Sequence, residues 1–177
     1  MKDYYRLSST KKREIAQNLI DILEKDIRPS KETVIFISKW ITSDRSKKFK
    51  AYYDVWEIVL KNFYPKTRPV LIRSIPRKSK AKYIGSFTDS VISAERFGMY
   101  KGYWIICDTK CSLSTDQSKD APGNYTNTFY PLNEVLRKAK EKGGWGFANS
   151  FLERYEEEGE YIMKINFSVM QLLKYIG

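Results

Sequence analysis

The chain of 177 residues contains no histidine and only two cysteines. Without histidine, the Ser-His-Asp and Cys-His relays are excluded, and so are His-bearing metal sites. Cys107 and Cys111 are too few for a disulfide scaffold and cannot by themselves complete an ordinary zinc site, so they read as free thiols of a reducing compartment and no metal is expected. No apolar run approaches the roughly 20 residues of a membrane helix. The opening M-K-D-Y-Y-R-L-S-S-T-K-K-R lacks the apolar stretch of an export signal. The expectation is a soluble, cytoplasmic protein without a membrane partner. Also missing are a G-x-G-x-x-G after a strand and a G-x-x-x-x-G-K-[ST], the common cradles for dinucleotides and nucleoside triphosphates. What remains for acid, base or electrostatic work is carboxylate, Arg, Lys, Tyr and Ser/Thr.

What is present begins with an ordinary apolar share of 42%, enough for one real core. The net charge of +11 is uneven: residues 1–83 carry 21 Lys/Arg against 9 Asp/Glu, and the remainder 11 against 12. Clustered positive charge speeds encounter with acidic partners and releases counterions from a phosphate backbone. The excess therefore reads either as a nucleic-acid or acidic-protein partner or as a Lys-rich solvated surface.

The first third has helical periodicity. Ile15, Leu19, Ile22 and Leu23 recur on one face after the Ser/Thr cluster at 8–10, and Pro29 ends the pattern. A second helix starts near Ser30 with Val34, Ile37, Trp40 and Ile41. A third carries Phe49, Tyr53, Trp56, Leu60 and Phe63 up to Pro65, a stripe that reads as core rather than as a stacking platform. Lys47, Lys48 and Lys50 between the stripes make the exposed faces basic. After Pro65 the pattern changes to short β-rich runs, P-V-L-I-R-S-I-P, G-Y-W-I-I-C-D and E-Y-I-M-K-I. S-V-I-S-A-E-R-F-G-M-Y suits a short helix, residues 108–130 read as a long polar loop, and residues 132–142 as a helix stopped by Gly143 and Gly144. Helices first and strands later predict an α+β fold. Its expected parts are a basic helical region over residues 1–64 and a core over residues 65–177, in one compact unit.

Three features stand out in order. Arg73 lies inside the apolar strand V-L-I-R-S, where a guanidinium must reach solvent, a salt bridge or an anion such as phosphate. I-G-S-F-T-D-S-V-I-S-A-E-R-F places Ser86 and Thr88 on one side of an extended segment, leading into a helix expected to carry Ala94 and Phe97 inward. Glu158-Gly159-Glu160 sets two carboxylates two apart at a strand start, facing the same way, where their repulsion shifts proton affinities apart. Each alone has a plain reading: an edge-strand Arg, a strand-turn-helix, a solvated strand edge.

Together they resemble the Arg, Ser and Glu signature of the mono-ADP-ribosyltransferases, in particular the small bacteriophage-encoded members, which also carry helices before the Arg strand. The matching positions are V-L-I-R-S at Arg73, S-F-T at residues 86–88, A-E-R-F at residues 94–97 and E-G-E-Y-I-M at residues 158–163. Phe87 and Thr88 depart from the family's S-T-S, and Ile84 stands where an aromatic is common. The resemblance implies a core of two small packed β-sheets clasping NAD as substrate, without a metal. It implies that Arg73 binds the NAD phosphate and supports the site, that Ser74 belongs with it to the NAD-binding residues, and that Ser86, supported by Thr88, positions the nicotinamide ribose and the catalytic Glu. Glu160 would accept from the ribose 2′-hydroxyl and stabilise the positive charge that develops as nicotinamide leaves. Glu158 would orient or deprotonate the acceptor, an arginine of a target protein. The segment before E-x-E, with Trp145, Phe147, Phe151 and Tyr155, would be the acceptor loop; its aromatics either pack on a partner or fold over the sheet edge. The implied setting is a host cytoplasm; the charge of the basic helical third, taken by itself, suggests acidic transcription or translation machinery as a target. The alternative is a basic module that binds nucleic acid or a host protein without chemistry. The decisive geometric requirement is that Arg73, Ser86 and Glu160 converge in one cleft within about 10 Å.

Overall fold

The computed structural model describes residues 5–43, 48–77, 83–98, 101–113, 121 and 123–175. Lys47, residues 99–100 of the expected short helix, and residues 114–120 with Pro122 of the expected loop lie outside the described residues. The fold is α+β. Three helices come first, α1 (Ser9–Glu24), α2 (Lys31–Thr42) and α3 (Lys50–Asn62). Ser8 caps α1 by accepting from the Lys11 amide, and Ser30 caps α2 by accepting from the Thr33 amide, each satisfying a donor that the first turn leaves open. The apolar stripes of the three helices meet in a core that includes Ile15, Leu19, Phe36, Trp40, Tyr52, Trp56 and Val59.

Downstream come β1 (Val70–Ile75), β2 (Ile84–Thr88), α4 (Val91–Gly98), β3 (Tyr103–Asp108), α5 (Thr109–Ser112), β4 (Phe129–Tyr130), α6 (Leu132–Glu141), α7 (Asn149–Tyr155), a 3-10 turn (Glu156–Glu158), β5 (Glu160–Lys164) and β6 (Gln171–Lys174). The strands form one antiparallel sheet in the order β4-β5-β2-β1-β3-β6. The expectation of two small sheets is corrected accordingly. The six strands are nonetheless joined unevenly. β2 and β5 pair over five positions and β1 and β3 over six, whereas β1 meets β2 at the single register pair Ile72 and Thr88. Two three-stranded halves are thus joined at one seam by a single register pair.

Alternation along the strands divides the core. Ile84, Tyr130 and Ile162 face the helical bundle, while Leu71, Phe87, Ile105, Phe129, Tyr161 and Met163 build a second apolar cluster. The long loop expected over residues 108–130 contains α5 and β4, and the segment before the acidic run, read as a loop, contains α7. Tyr130 is fully buried and donates to the Leu19 carbonyl at 2.7 Å, tying the sheet to α1. α1, α2 and α3 therefore share a core with the sheet. Among the described residues no helix is long and apolar enough to cross a membrane.

Candidate active site

The seam between β1 and β2 opens into a cleft of about 270 Å³, bordered by Ile41 and Lys48 on the α2 side and by Ala94 and Phe97 of α4 on the other. Its floor and rim carry Arg73, Ser74, Ser86, Thr88, Glu158 and Glu160. Every residue expected from the sequence to be catalytic or to bind NAD therefore reaches this one place, whereas the expected acceptor-loop residues Trp145, Phe147 and Tyr155 do not line it. Phe97 is corrected: it is 55% exposed at the cleft rim, while Ala94 is buried as expected.

Hydrogen bonds make the constellation continuous. Arg73 Nη1 donates to the Ser86 carbonyl oxygen, and Ser86 Oγ donates to Glu160 Oε1. The same Oε1 accepts from the indole Nε1 of Trp40 at 2.9 Å. Glu160 is the first residue of β5, opposite Thr88, and Ser86 is two residues along the same face. Antiparallel pairing thus sets the Ser hydroxyl beside the carboxylate. Phe87, the bulky middle residue of S-F-T, points away into the second core cluster and is 2% exposed.

Arg73 is seated by an absence of side chain. A Cβ on Gly85 would lie 2.9 Å from Arg73 Cζ and 3.0 Å from Nη1, closer than packed atoms come. The guanidinium also sits 5.5 Å from the centroid of the Tyr83 ring. Its Nε is buried and finds no hydrogen-bond acceptor among the described residues. A buried donor left without a partner costs about 1–3 kcal/mol, which an anionic ligand at the guanidinium would offset. The edge-strand salt bridge considered for Arg73 is not formed among the described residues.

The E-x-E pair is built differently from the alternating strand read from sequence. Glu158 ends the 3-10 turn, Gly159 turns with φ +61, and only Glu160 belongs to the strand. A Cβ on Gly159 would meet Asp89 Oδ1 at 3.0 Å and Thr88 Oγ1 at 3.2 Å, so glycine is required both by conformation and by space. Thr88 donates to the Glu158 carbonyl at 3.1 Å and accepts from the Ser90 amide, fixing the turn to β2. Both carboxylates line the cleft as a result. Burial, and next the charge of Glu160, push the Glu158 carboxyl above the usual range, with Arg96 and Arg154 acting against them. Beneath the turn, burial pushes Tyr161 up to about 12, with the Asp89 carboxylate adding to the rise. It stays protonated and donates to Asp89 Oδ2 at 2.9 Å.

The remaining candidates have other tasks. Ser74 donates to the Ala94 carbonyl at 2.5 Å, pinning α4 against β1. Trp145 and Phe147 are each 7% exposed in the helical core, the folded-over arrangement, and Tyr155 packs partly buried beside Phe151. Glu156 pairs with Lys140 at 2.6 Å, and Glu157 is exposed. Sequence reasoning missed two contributors, Trp40 and Gly85. An isolated glycine inside a strand pattern is a signal of close approach and could have marked Gly85. Nothing local marks Trp40, whose spacing is that of a core residue. Among the described residues no cluster of three or more Cys, Asp or Glu is placed to hold a metal ion. No protein-family model, curated protein or solved structure matches the chain.

Proposed function

We propose that the protein is a mono-ADP-ribosyltransferase that cleaves NAD and passes ADP-ribose to an arginine of a target protein. One observation carries the reading: Arg73, Ser86 and Glu160 form an unbroken hydrogen-bonded series at the mouth of a single cleft, with Glu158 beside them. Glu160 Oε1 is occupied by its two donors, and Oε2 has no partner among the described residues, which leaves it to accept from a ribose hydroxyl. A carboxylate so fixed opposes positive charge where it develops, at the anomeric carbon, as the bond to nicotinamide breaks and its electron pair neutralises the departing ring. Glu158, whose proton affinity burial and the charge of Glu160 raise above the usual carboxylate range, makes a stronger base and takes the proton as an acceptor guanidinium nitrogen bonds to the same carbon. Arg73, with a buried unpaired donor, suits the phosphate side of the ligand.

Incubation with labelled NAD and a bacterial lysate tests this. Label should pass to protein and vanish in Glu160→Ala. Folded wild-type protein that neither transfers label nor releases nicotinamide sinks the proposal. The basic excess of the first 83 residues favours one second reading, a nucleic-acid-binding module. Salt-sensitive DNA or RNA binding that survives Glu160→Ala, without nicotinamide release, would establish it instead.

A further inference from the structure

We infer that Trp40, a residue of the helical region, is a positioning residue for the Glu160 carboxylate during ADP-ribosyl transfer. The inference rests on the transferase reading above and adds to it a contribution from outside the sheet. Trp40 is 1% exposed on α2, and its indole Nε1 reaches across to Glu160 Oε1 at 2.9 Å. The ring is held from several sides: Trp56 lies 5.7 Å away at 73° and Tyr53 6.0 Å away at 86°. Lys48 covers the ring with its Nζ 3.6 Å from the centroid and donates to the Trp40 carbonyl at 2.7 Å. A cation over the π face draws charge from the ring and makes its N–H a better donor.

A buried indole usually finds an acceptor somewhere, so the bond alone would not distinguish catalysis from packing. Trp56 supplies the contrast. Its Nε1 is buried in the same core and has no partner among the described residues, so this bundle tolerates an unpaired indole donor. The bond from Trp40 instead goes to the one carboxylate oxygen that also takes the Ser86 hydroxyl. Two donors from different directions, one on β2 and one on α2, fix that oxygen. With Oε1 so held, Oε2 is the oxygen left for a ligand in the cleft that Glu160 lines.

Two measurements test the inference, and one of them needs no NAD. Nitrogen-labelled indole signals are recorded, with that of Trp40 identified as the one lost in Trp40→Phe. In Glu160→Ala the Trp40 signal should move upfield as its acceptor disappears. In turnover, Trp40→Phe should lower kcat for nicotinamide release about ten- to a hundredfold, the size of one hydrogen bond to a charged group, with KM for NAD little changed. A purely structural role would lower the thermal midpoint and leave kcat per folded molecule unaltered. An indole signal unmoved by Glu160→Ala, or a folded Trp40→Phe enzyme with wild-type kcat, overturns the positioning role alone. A wild-type protein that releases no nicotinamide overturns both this role and the transferase reading.

Discussion

Replacing Gly85 by alanine adds one methyl group on a strand that does not need its glycine for backbone conformation. The new Cβ would stand 2.9 Å from Arg73 Cζ, 3.0 Å from Nη1 and 3.2 Å from Nε. Packed carbon atoms approach to about 3.5–4.0 Å, so the guanidinium must retreat by about 0.5–1 Å. It is the far end of a flexible side chain, and the sheet need not move. What fails is the bond from Nη1 to the Ser86 carbonyl, and with it the register of Arg73 against the Ser86–Glu160 pair. A hydrogen bond to a charged group contributes about 1.5–3 kcal/mol, and every 1.4 kcal/mol is about tenfold. Gly85→Ala should therefore lower kcat/KM for nicotinamide release about ten- to a hundredfold. Stability should fall by about 0.5–2.5 kcal/mol, because the loss of about 1.5–3 kcal/mol from the broken bond is partly offset by backbone entropy of about 0.5–1 kcal/mol that alanine recovers relative to glycine. Nicotinamide release and the thermal midpoint are measured on the same preparation, and the substitution is repeated in an Arg73→Ala background. There it should have no further effect, since the clash partner is gone. Undiminished kcat/KM in Gly85→Ala, or a full additional loss in the Arg73→Ala background, would refute the reasoning.

Two further outcomes follow from the charges. Glu158→Gln should leave nicotinamide release largely intact while abolishing label transfer to arginine acceptors. Because burial and Glu160 raise the Glu158 pKa, wild-type transfer should climb with pH above the ordinary carboxylate range. By the same sign, Glu158 contributes stability that is full below its unfolded pKa and lost as pH rises through the folded value; an unchanged transfer rate in Glu158→Gln contradicts its role as base. Asp26, at φ +55 between α1 and α2, is held at about 2 by hydrogen bonds from Lys138 and Lys142. Its folded pKa is depressed, so its stabilising contribution is present above the usual value near 3.9 and lost as pH falls toward about 2. Asp26→Asn, which tolerates the left-handed conformation, should remove that part of the acid dependence, and thermal midpoints between those pH values decide it.

The elements that the sequence displays are those whose pattern is strong within one segment. Three helices show one-face stripes and side-chain caps at Ser8 and Ser30, and β1, β3 and β5 show dense apolar runs bounded by Pro, Gly or acidic residues. The elements it hides depend on partners far away. β4 is two residues long and exists because Phe129 and Tyr130 pair with Met163 and Ile162. β6 carries Gln171 and Lys174 at its ends and is ordered by pairing with β3. α7 follows Gly143, Gly144 and Gly146, all at positive φ, and these three glycines obscure the helix that Leu152 anchors. Phe97 satisfied a helical spacing, but α4 lies at the edge of the cleft and only Ala94 and Ser93 face inward.

The candidate site divides along the same line. Arg73, Ser86 and Glu160 are visible because each sits in a strand whose local chemistry is odd, a cation, a hydroxyl or a carboxylate within an apolar run. Their convergence needs only that β2 lie between β1 and β5, with the seam at Ile72 and Thr88 left open by strands that pair elsewhere. Trp40 is invisible because its local chemistry is ordinary, and its bond to Glu160 spans 120 positions in sequence. A site read from strands alone would allow the helical region to be removed. The Trp40 bond, the Lys48 cover and the shared core through Tyr130 and Leu19 require it to stay. Residues 65–177 expressed without the bundle would expose Ile84, Tyr130 and Ile162 and leave Glu160 with a single donor. The helical region then contributes directly to the geometry of the candidate site, through the Trp40 bond to Glu160 and the Lys48 cover of its ring.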